Sequence, residues 1–139
     1  MFTAQPATED TPLLLREDRD GIATLTMNRP DMFNSFSNAL LDDLLAELEA
    51  IENDRSVRVV VIAGNGRAFC TGCDLKEMRE DSSKETMRAL FDKCAQLMLT
   101  LTRIPQPVIA KVHSIATAAG CQLVASCDMA IAADSAQFA

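Results

Sequence analysis

A run of β-branched residues, Val57 and then Val59, Val60, Val61 and Ile62, closes on Ala63-Gly64 and lies between two long stretches of helical periodicity. A nearly continuous apolar run of this kind reads as a strand buried on both faces. A strand with a helix on either side is the repeating unit of an α/β fold. On the amino-terminal side, Leu40, Leu41, Leu44, Leu45, Leu48 and Ile51 share one face, with Asp42, Asp43, Glu47 and Glu49 on the other. This spacing predicts an amphipathic helix capped by Ser37 or Asn38. On the carboxyl-terminal side, Ser82 and Glu85 form a capping-box signature, and Met87, Leu90, Phe91, Cys94, Leu97, Met98 and Leu101 continue at helical spacing up to Pro105.

The alternation then repeats. Residues 107–112 predict another short strand, 119–126 a compact helix of small residues and 129–133 a third strand. Right-handed βαβ crossovers and a parallel sheet follow from that order. Earlier in the chain, residues 13–16 and 22–27 flank Asp20-Gly21, a strong signal for a two-residue hairpin turn.

In open parallel sheets the ligand sits beyond the carboxyl ends of the strands. Two glycine-bearing segments occupy that place: A-F-C-T-G-C-D-L-K-E-M at 68–78 and A-A-G-C-Q-L at 118–123. Glycine beside small residues, where a strand gives way to a loop or helix, leaves backbone N–H groups free to face a ligand. Two such turns brought together would grip one oxygen, as an oxyanion site requires.

Charge and length narrow the classes further. A net charge of −7 repels nucleic acid and anionic membrane surfaces. The apolar segments are interrupted by charges well short of the roughly 20 residues that cross a bilayer. Residues 1–10 lack Lys, Arg and any apolar run, so they read as a disordered tail rather than a signal or transit peptide, with one domain over 11–139. A cytoplasmic protein with no membrane and no nucleic-acid partner is expected. Cys70, Cys73, Cys94, Cys121 and Cys127 form an odd set too sparse for a secreted disulfide scaffold. Cys70 and Cys73 make one C-x-x-C, but no second pair follows and His113 is the only histidine. Small packing residues are therefore expected, with no metal site.

Three segments in register give the chain a family resemblance: N-R-P at 28–30, the 68–78 segment, and P-V-I-A-K-V-H-S-I-A-T-A-A-G-C-Q-L-V-A-S-C-D at 107–128. From about Leu13 onward it resembles the enoyl-CoA hydratase/isomerase, or crotonase, superfamily. The resemblance implies a crotonase-like ββα spiral core with parallel strands and crossover helices, carrying about the first half of the family's length and stopping before its carboxyl-terminal helical part. It implies an acyl-CoA thioester as ligand, with coenzyme A part of the substrate and no separate cofactor, and a homo-oligomer, trimer or hexamer. The thioester carbonyl would be held by the backbone N–H groups of Cys73 and Ala119. CoA would meet Asp31, Met32 and Phe33 after the proline, and Cys73, Asp74, Leu75 and Lys76 in the second motif. Asp31 replaces a residue that is basic in many relatives, leaving Arg29, Arg67 and Lys76 as candidate phosphate partners.

The chemistry departs from the hydratases at one position. Where they place their first catalytic glutamate, directly after G-C, this chain has Gln122. An amide orients water but cannot act as a general base near neutral pH. The second glutamate would fall just past Ala139. Asp74 and Glu77, three residues apart, are alternative carboxylates if that segment coils, though a capping or solvated role is the plainer reading. Two functions remain open: a lyase or isomerase that stabilises a thioester enolate, and a catalytically silent CoA-ester binder or scaffold subunit. An inactive fragment with an uncovered sheet is the third, its exposed residues being Val108, Ile109, Met129 and Ile131.

Overall fold

The computed structural model describes residues 11–139, and the tail expected over 1–10 lies outside the described residues. In chain order the elements are β1 (Leu14–Arg19), β2 (Ile22–Met27), α1 (Asn38–Glu52), β3 (Val59–Gly64), β4 (Ala68–Cys70), α2 (Leu75–Glu80), α3 (Lys84–Arg103), β5 (Val108–Val112), β6 (Ile115–Ala116), α4 (Ala119–Ser126) and β7 (Met129–Ala132). A 3-10 turn at Pro30–Met32 precedes α1.

Asp20 and Gly21 join β1 to β2 with φ of 52° and 80°, the two positive values that a type I′ turn requires. The hairpin pairs Leu14 with Met27 and Arg19 with Ile22. β2 then runs parallel to β3, β3 to β5 and β5 to β7, giving a sheet in the order β1-β2-β3-β5-β7. Intervening helices make this parallel pairing possible, because a parallel neighbour needs a crossover.

Ala23, Leu25 and Met27 of β2, Val60 and Ile62 of β3, and Val108, Ala110 and Val112 of β5 point to one face and are buried there. Against it pack the leucines of α1 and, from α3, Leu90, Cys94, Leu97, Met98 and Leu101. Each such side chain contributes about 1.5–3 kcal/mol by leaving water. The alternate residues, among them Val59, Val61 and Ile109, are only half-buried. The expected two-faced burial of β3 is therefore corrected: the helices of residues 11–139 cover one side of the sheet. Val108, expected at an uncovered position, is fully buried, whereas Met129 and Ile131 on the edge strand β7 are 60% and 61% exposed.

Ser37 caps α1 by accepting from the Leu40 N–H at 3.1 Å. α3 starts one residue later than expected, with Ser83 rather than Ser82 as its cap, accepting from the Thr86 N–H at 3.2 Å. Asp81 decides this by accepting from the Ser83 N–H and the Thr86 hydroxyl, which holds Ser83 in the capping position.

β4 and β6 form a separate two-stranded parallel ladder past the ends of β3 and β5. It was not expected from sequence, and it sets the two glycine-bearing segments side by side.

Candidate functional site

Gly72 follows β4 with φ of 90°. A Cβ placed on it would lie 3.0 Å from the Ala118 Cβ and 3.1 Å from the Ala119 nitrogen, so the two loops touch at this point. Hydrogen bonds hold them there. The Thr117 N–H donates to the Cys70 carbonyl at 3.0 Å, and the Thr117 hydroxyl donates to the Thr71 carbonyl at 3.3 Å. Gly120, one residue into α4, lets the helix rest directly on the backbone of Cys70.

Cys73 is held from the opposite side. The Phe36 N–H donates to the Gly72 carbonyl at 2.7 Å and the Asp74 N–H to the Phe36 carbonyl at 3.0 Å. In this parallel bridge the bonds run to the residues on either side of Cys73, so its own N–H faces away from Phe36. Ala119 is the first residue of α4, where an N–H has no acceptor within the helix. Among the described residues, neither of these amides donates to a backbone carbonyl.

Both loops line one cavity of about 620 Å³. Cys73, Asp74, Leu75 and Lys76 line it from the first loop, and Ala118, Ala119 and Gln122 from the second. Met32 lines it too, whereas Asp31 and Phe33 lie on the same turn outside the lining. Thr71, Ser35, Met78, Phe91 and Cys94 complete the wall without having been singled out from sequence as site residues. Helical spacing places Phe91 and Cys94 with the packed residues of α3. Phe91 is 55% exposed, and its place beside the buried Leu90 at the edge of that stripe is the signal that could have found it.

The local charges are mostly engaged in holding the site. The Arg29 guanidinium donates to the Asp74 carboxylate at 3.0 Å and to the Ser35 carbonyl at 2.5 Å, with Arg29 and Asp74 side chains only 15% and 6% exposed. Arg29, one of the three candidate phosphate partners, is thus engaged in holding the loop. Arg67 is absent from the lining, and Lys76 remains as the basic side chain on the cavity wall. Burial raises the Asp74 carboxyl, but hydrogen bonds from the Glu77 and Lys76 N–H groups and from Arg29 outweigh it and hold the group below its ordinary range. Glu77 accepts from the Asn38 side chain at 2.6 Å and from the Asn38 N–H at 3.2 Å, tying α2 to the start of α1. Both carboxylates therefore have the capping roles that were the plainer reading. His113 bridges to the Gly66 carbonyl at 2.7 Å.

A residue missed from sequence organises the first loop. Asn34 is fully buried at φ of 54°; its amide donates to the carbonyls of Asn65 and Ala68 while its oxygen accepts from the Arg29 N–H.

Ala118 stands at φ 50° and ψ −125°, a backbone region that penalises any Cβ. That torsion sets the direction of the next N–H, which belongs to Ala119. Ala118 is exposed, so its methyl buries little. Ala118→Gly is accordingly expected to raise stability by about 0.5–1 kcal/mol, read as a higher urea midpoint at unchanged slope. An unchanged or lower midpoint would show that no strain is stored there.

Comparison with known proteins places this arrangement. A family profile described as Enoyl-CoA hydratase/isomerase matches residues 17–139. The chain is 43% identical over 117 residues to a 2,3-dehydroadipyl-CoA hydratase of Escherichia coli, covering 84% of this chain and 45% of that protein. It is 38% identical over 131 residues to the mitochondrial enoyl-CoA hydratase domain-containing protein 3 of Xenopus laevis, covering 94% and 45%. Among solved structures, an enoyl-CoA hydratase of Mycobacterium smegmatis superposes with a TM-score of 0.91 at 53% identity, over 93% of this chain and 51% of that one. The chain spans about half the length of the relatives it matches.

Proposed function

The chain belongs to the enoyl-CoA hydratase/isomerase family, and on that premise we propose that it binds acyl-CoA thioesters and stabilises a thioester enolate between the backbone N–H groups of Cys73 and Ala119. One observation carries the reading: two amides from loops 46 residues apart, neither donating to a backbone carbonyl among the described residues, belong to residues lining the same cavity. The amino terminus of α4 adds its dipole, worth roughly 0.3–1 kcal/mol toward developing negative charge. Met32, Leu75 and Lys76 would meet the CoA portion, with Asp31, Phe33 and Asp74 beside them. Apolar surface on β7 supports the expectation that the sheet associates with further polypeptide, as in a homo-oligomer.

Gln122 limits the chemistry open to a bound thioester. Its amide can orient a water molecule but cannot take its proton. Asp74 and Glu77 are bound to Arg29 and Asn38. These observations favour a second reading of the same site, a CoA-ester binder without hydratase turnover, since acid–base assistance is worth about a hundred- to ten-thousand-fold.

Isothermal titration with an acyl-CoA thioester and with its thioether analogue, which lacks the carbonyl oxygen, tests the site. Two hydrogen bonds at roughly 0.5–1.5 kcal/mol each predict about 5- to 150-fold weaker binding of the thioether. Equal affinities would remove the oxyanion assignment. Loss of the conjugated absorbance of crotonyl-CoA tests hydration: turnover identifies a lyase, and binding without turnover a CoA-ester binder without hydratase activity.

A further inference from the structure

The cavity wall contains two sulfur atoms in contact. The Sγ atoms of Cys73 and Cys94 are 4.0 Å apart, one on the loop after Gly72 and the other on the inner face of α3. Cys73 is half-buried, Cys94 is 6% exposed, and both line the cavity. Sequence had grouped Cys73 with Cys70 as a C-x-x-C, but Cys70 is fully buried beneath the loop.

We propose that Cys73 and Cys94 form a redox-modification site, in which a peroxide entering the cavity converts the two thiols to an intramolecular disulfide. In the first step the Cys73 sulfur attacks one peroxide oxygen, the O–O bond breaks, and hydroxide leaves. A sulfenic acid remains on Cys73. In the second step the Cys94 sulfur attacks that of Cys73, the S–O bond breaks, and hydroxide leaves with the proton of Cys94 as water. The two thiols lose two electrons and two protons, and hydrogen peroxide becomes two waters. Disulfide bonding needs about 2.05 Å between the sulfurs, so they must approach by roughly 2 Å. The approach falls to the Cys73 side chain and its loop, since Cys94 lies within α3.

The roles of the two sulfurs follow from their surroundings. Cys73 reaches the cavity, and its hydrogen bond with the Cys94 sulfur, together with its own backbone N–H, lowers its thiol to about 7 against the opposing effect of burial. A thiolate at neutral pH is the nucleophile such chemistry uses. Contact with Cys73 and burial both hold Cys94 protonated, as suits the second, resolving thiol. The resulting bond would fasten the loop that carries the Cys73 amide to α3. Such a site depends on the sulfur geometry and is independent of what the cavity binds.

Treating the reduced native protein with hydrogen peroxide, blocking remaining thiols with iodoacetamide, and mapping peptides by mass spectrometry tests it. A tryptic peptide holding both Cys70 and Cys73 should be linked to the one that begins at Cys94, and fragmentation between residues 70 and 73 should place the bond on Cys73. Cys73→Ser and Cys94→Ser should each abolish the linked species, Cys121→Ser should retain it, and a reducing thiol should reverse it. Sulfinic acid on Cys73 without a linked peptide, a bond to another cysteine, or only intermolecular disulfides would overturn the proposal. If a serine variant fails to unfold cooperatively, the fragment map of the wild-type protein alone decides.

Discussion

Gly120→Ala is expected to separate the two loops, destabilise the protein by about 1–3 kcal/mol and abolish the proposed thioester binding. Two effects oppose each other at this position. Alanine is the better helix former by about 0.8–1.0 kcal/mol, and Gly120 lies within α4. Its Cβ, however, would sit 2.2 Å from the Cys70 carbonyl oxygen and 2.7 Å from the Cys70 carbonyl carbon, both backbone atoms of a buried strand. No side-chain rotation relieves such a contact, so α4 or β4 must shift. The same shift would pull the Ala119 amide from its place beside Gly72 and strain the Thr117 to Cys70 hydrogen bond. Urea unfolding and titration of an acyl-CoA thioester on one preparation check both halves. A variant with wild-type midpoint and affinity would mean that the close approach of helix and strand is dispensable.

Asp74→Ala is expected to cost about 3–5 kcal/mol, the range for removing one partner of a buried pair. It leaves the Arg29 guanidinium facing an apolar methyl and takes from α2 the cap that receives the Lys76 and Glu77 N–H groups at 3.0 and 3.2 Å. Asp74→Asn should cost less, because the amide oxygen can still cap the helix while the charge is gone. The pH dependence has a definite sign. A carboxyl held below its ordinary range in the folded state contributes stability above its unfolded value near 3.9, and that contribution is lost as pH falls through the lower folded value. Wild-type urea midpoints should therefore fall more steeply on the acid side than those of Asp74→Asn. Parallel acid limbs would show that the Arg29 to Asp74 pair contributes nothing to the linkage.

Legibility in the sequence tracked the range of the interactions involved. Asp20-Gly21 specified its turn because the positive φ values are a property of those two residues alone. α1 and α4 were readable because one turn of helix contacts the next, so periodicity in the chain is periodicity in space. The capping error at α3 came from a side chain outside the box: Asp81 outcompeted the Ser82 reading by binding Ser83 and Thr86 together. β4 and β6 left almost no trace, since strands of three and two residues show too few alternations and their pairing joins Ala68 to Ile115. β3 was misread for a related reason. Its valines are equally apolar on both sides, and only the positions of α1 and α3 determine which side is covered.

The candidate site divides in the same way. That two glycine-bearing turns lie past the ends of parallel strands was readable, and the family resemblance added Cys73 and Ala119. The engagement of Arg29, Glu77 and Asn34 was not, because each bonds to partners that include residues 31 to 45 positions away. Nor was the contact between Cys73 and Cys94, on separate elements 21 residues apart.

The order of residues by itself determined the local elements, the parallel α/β class and the family, because turn torsions, helix periodicity and motif spacing are written along the chain. Tertiary structure decided which face of the sheet is covered, which charged side chains hold the loops, and which residues of the two loops and which two thiols line one cavity. Those outcomes depend on distances across space between segments that the backbone connects only at long range, and packing alone sets them.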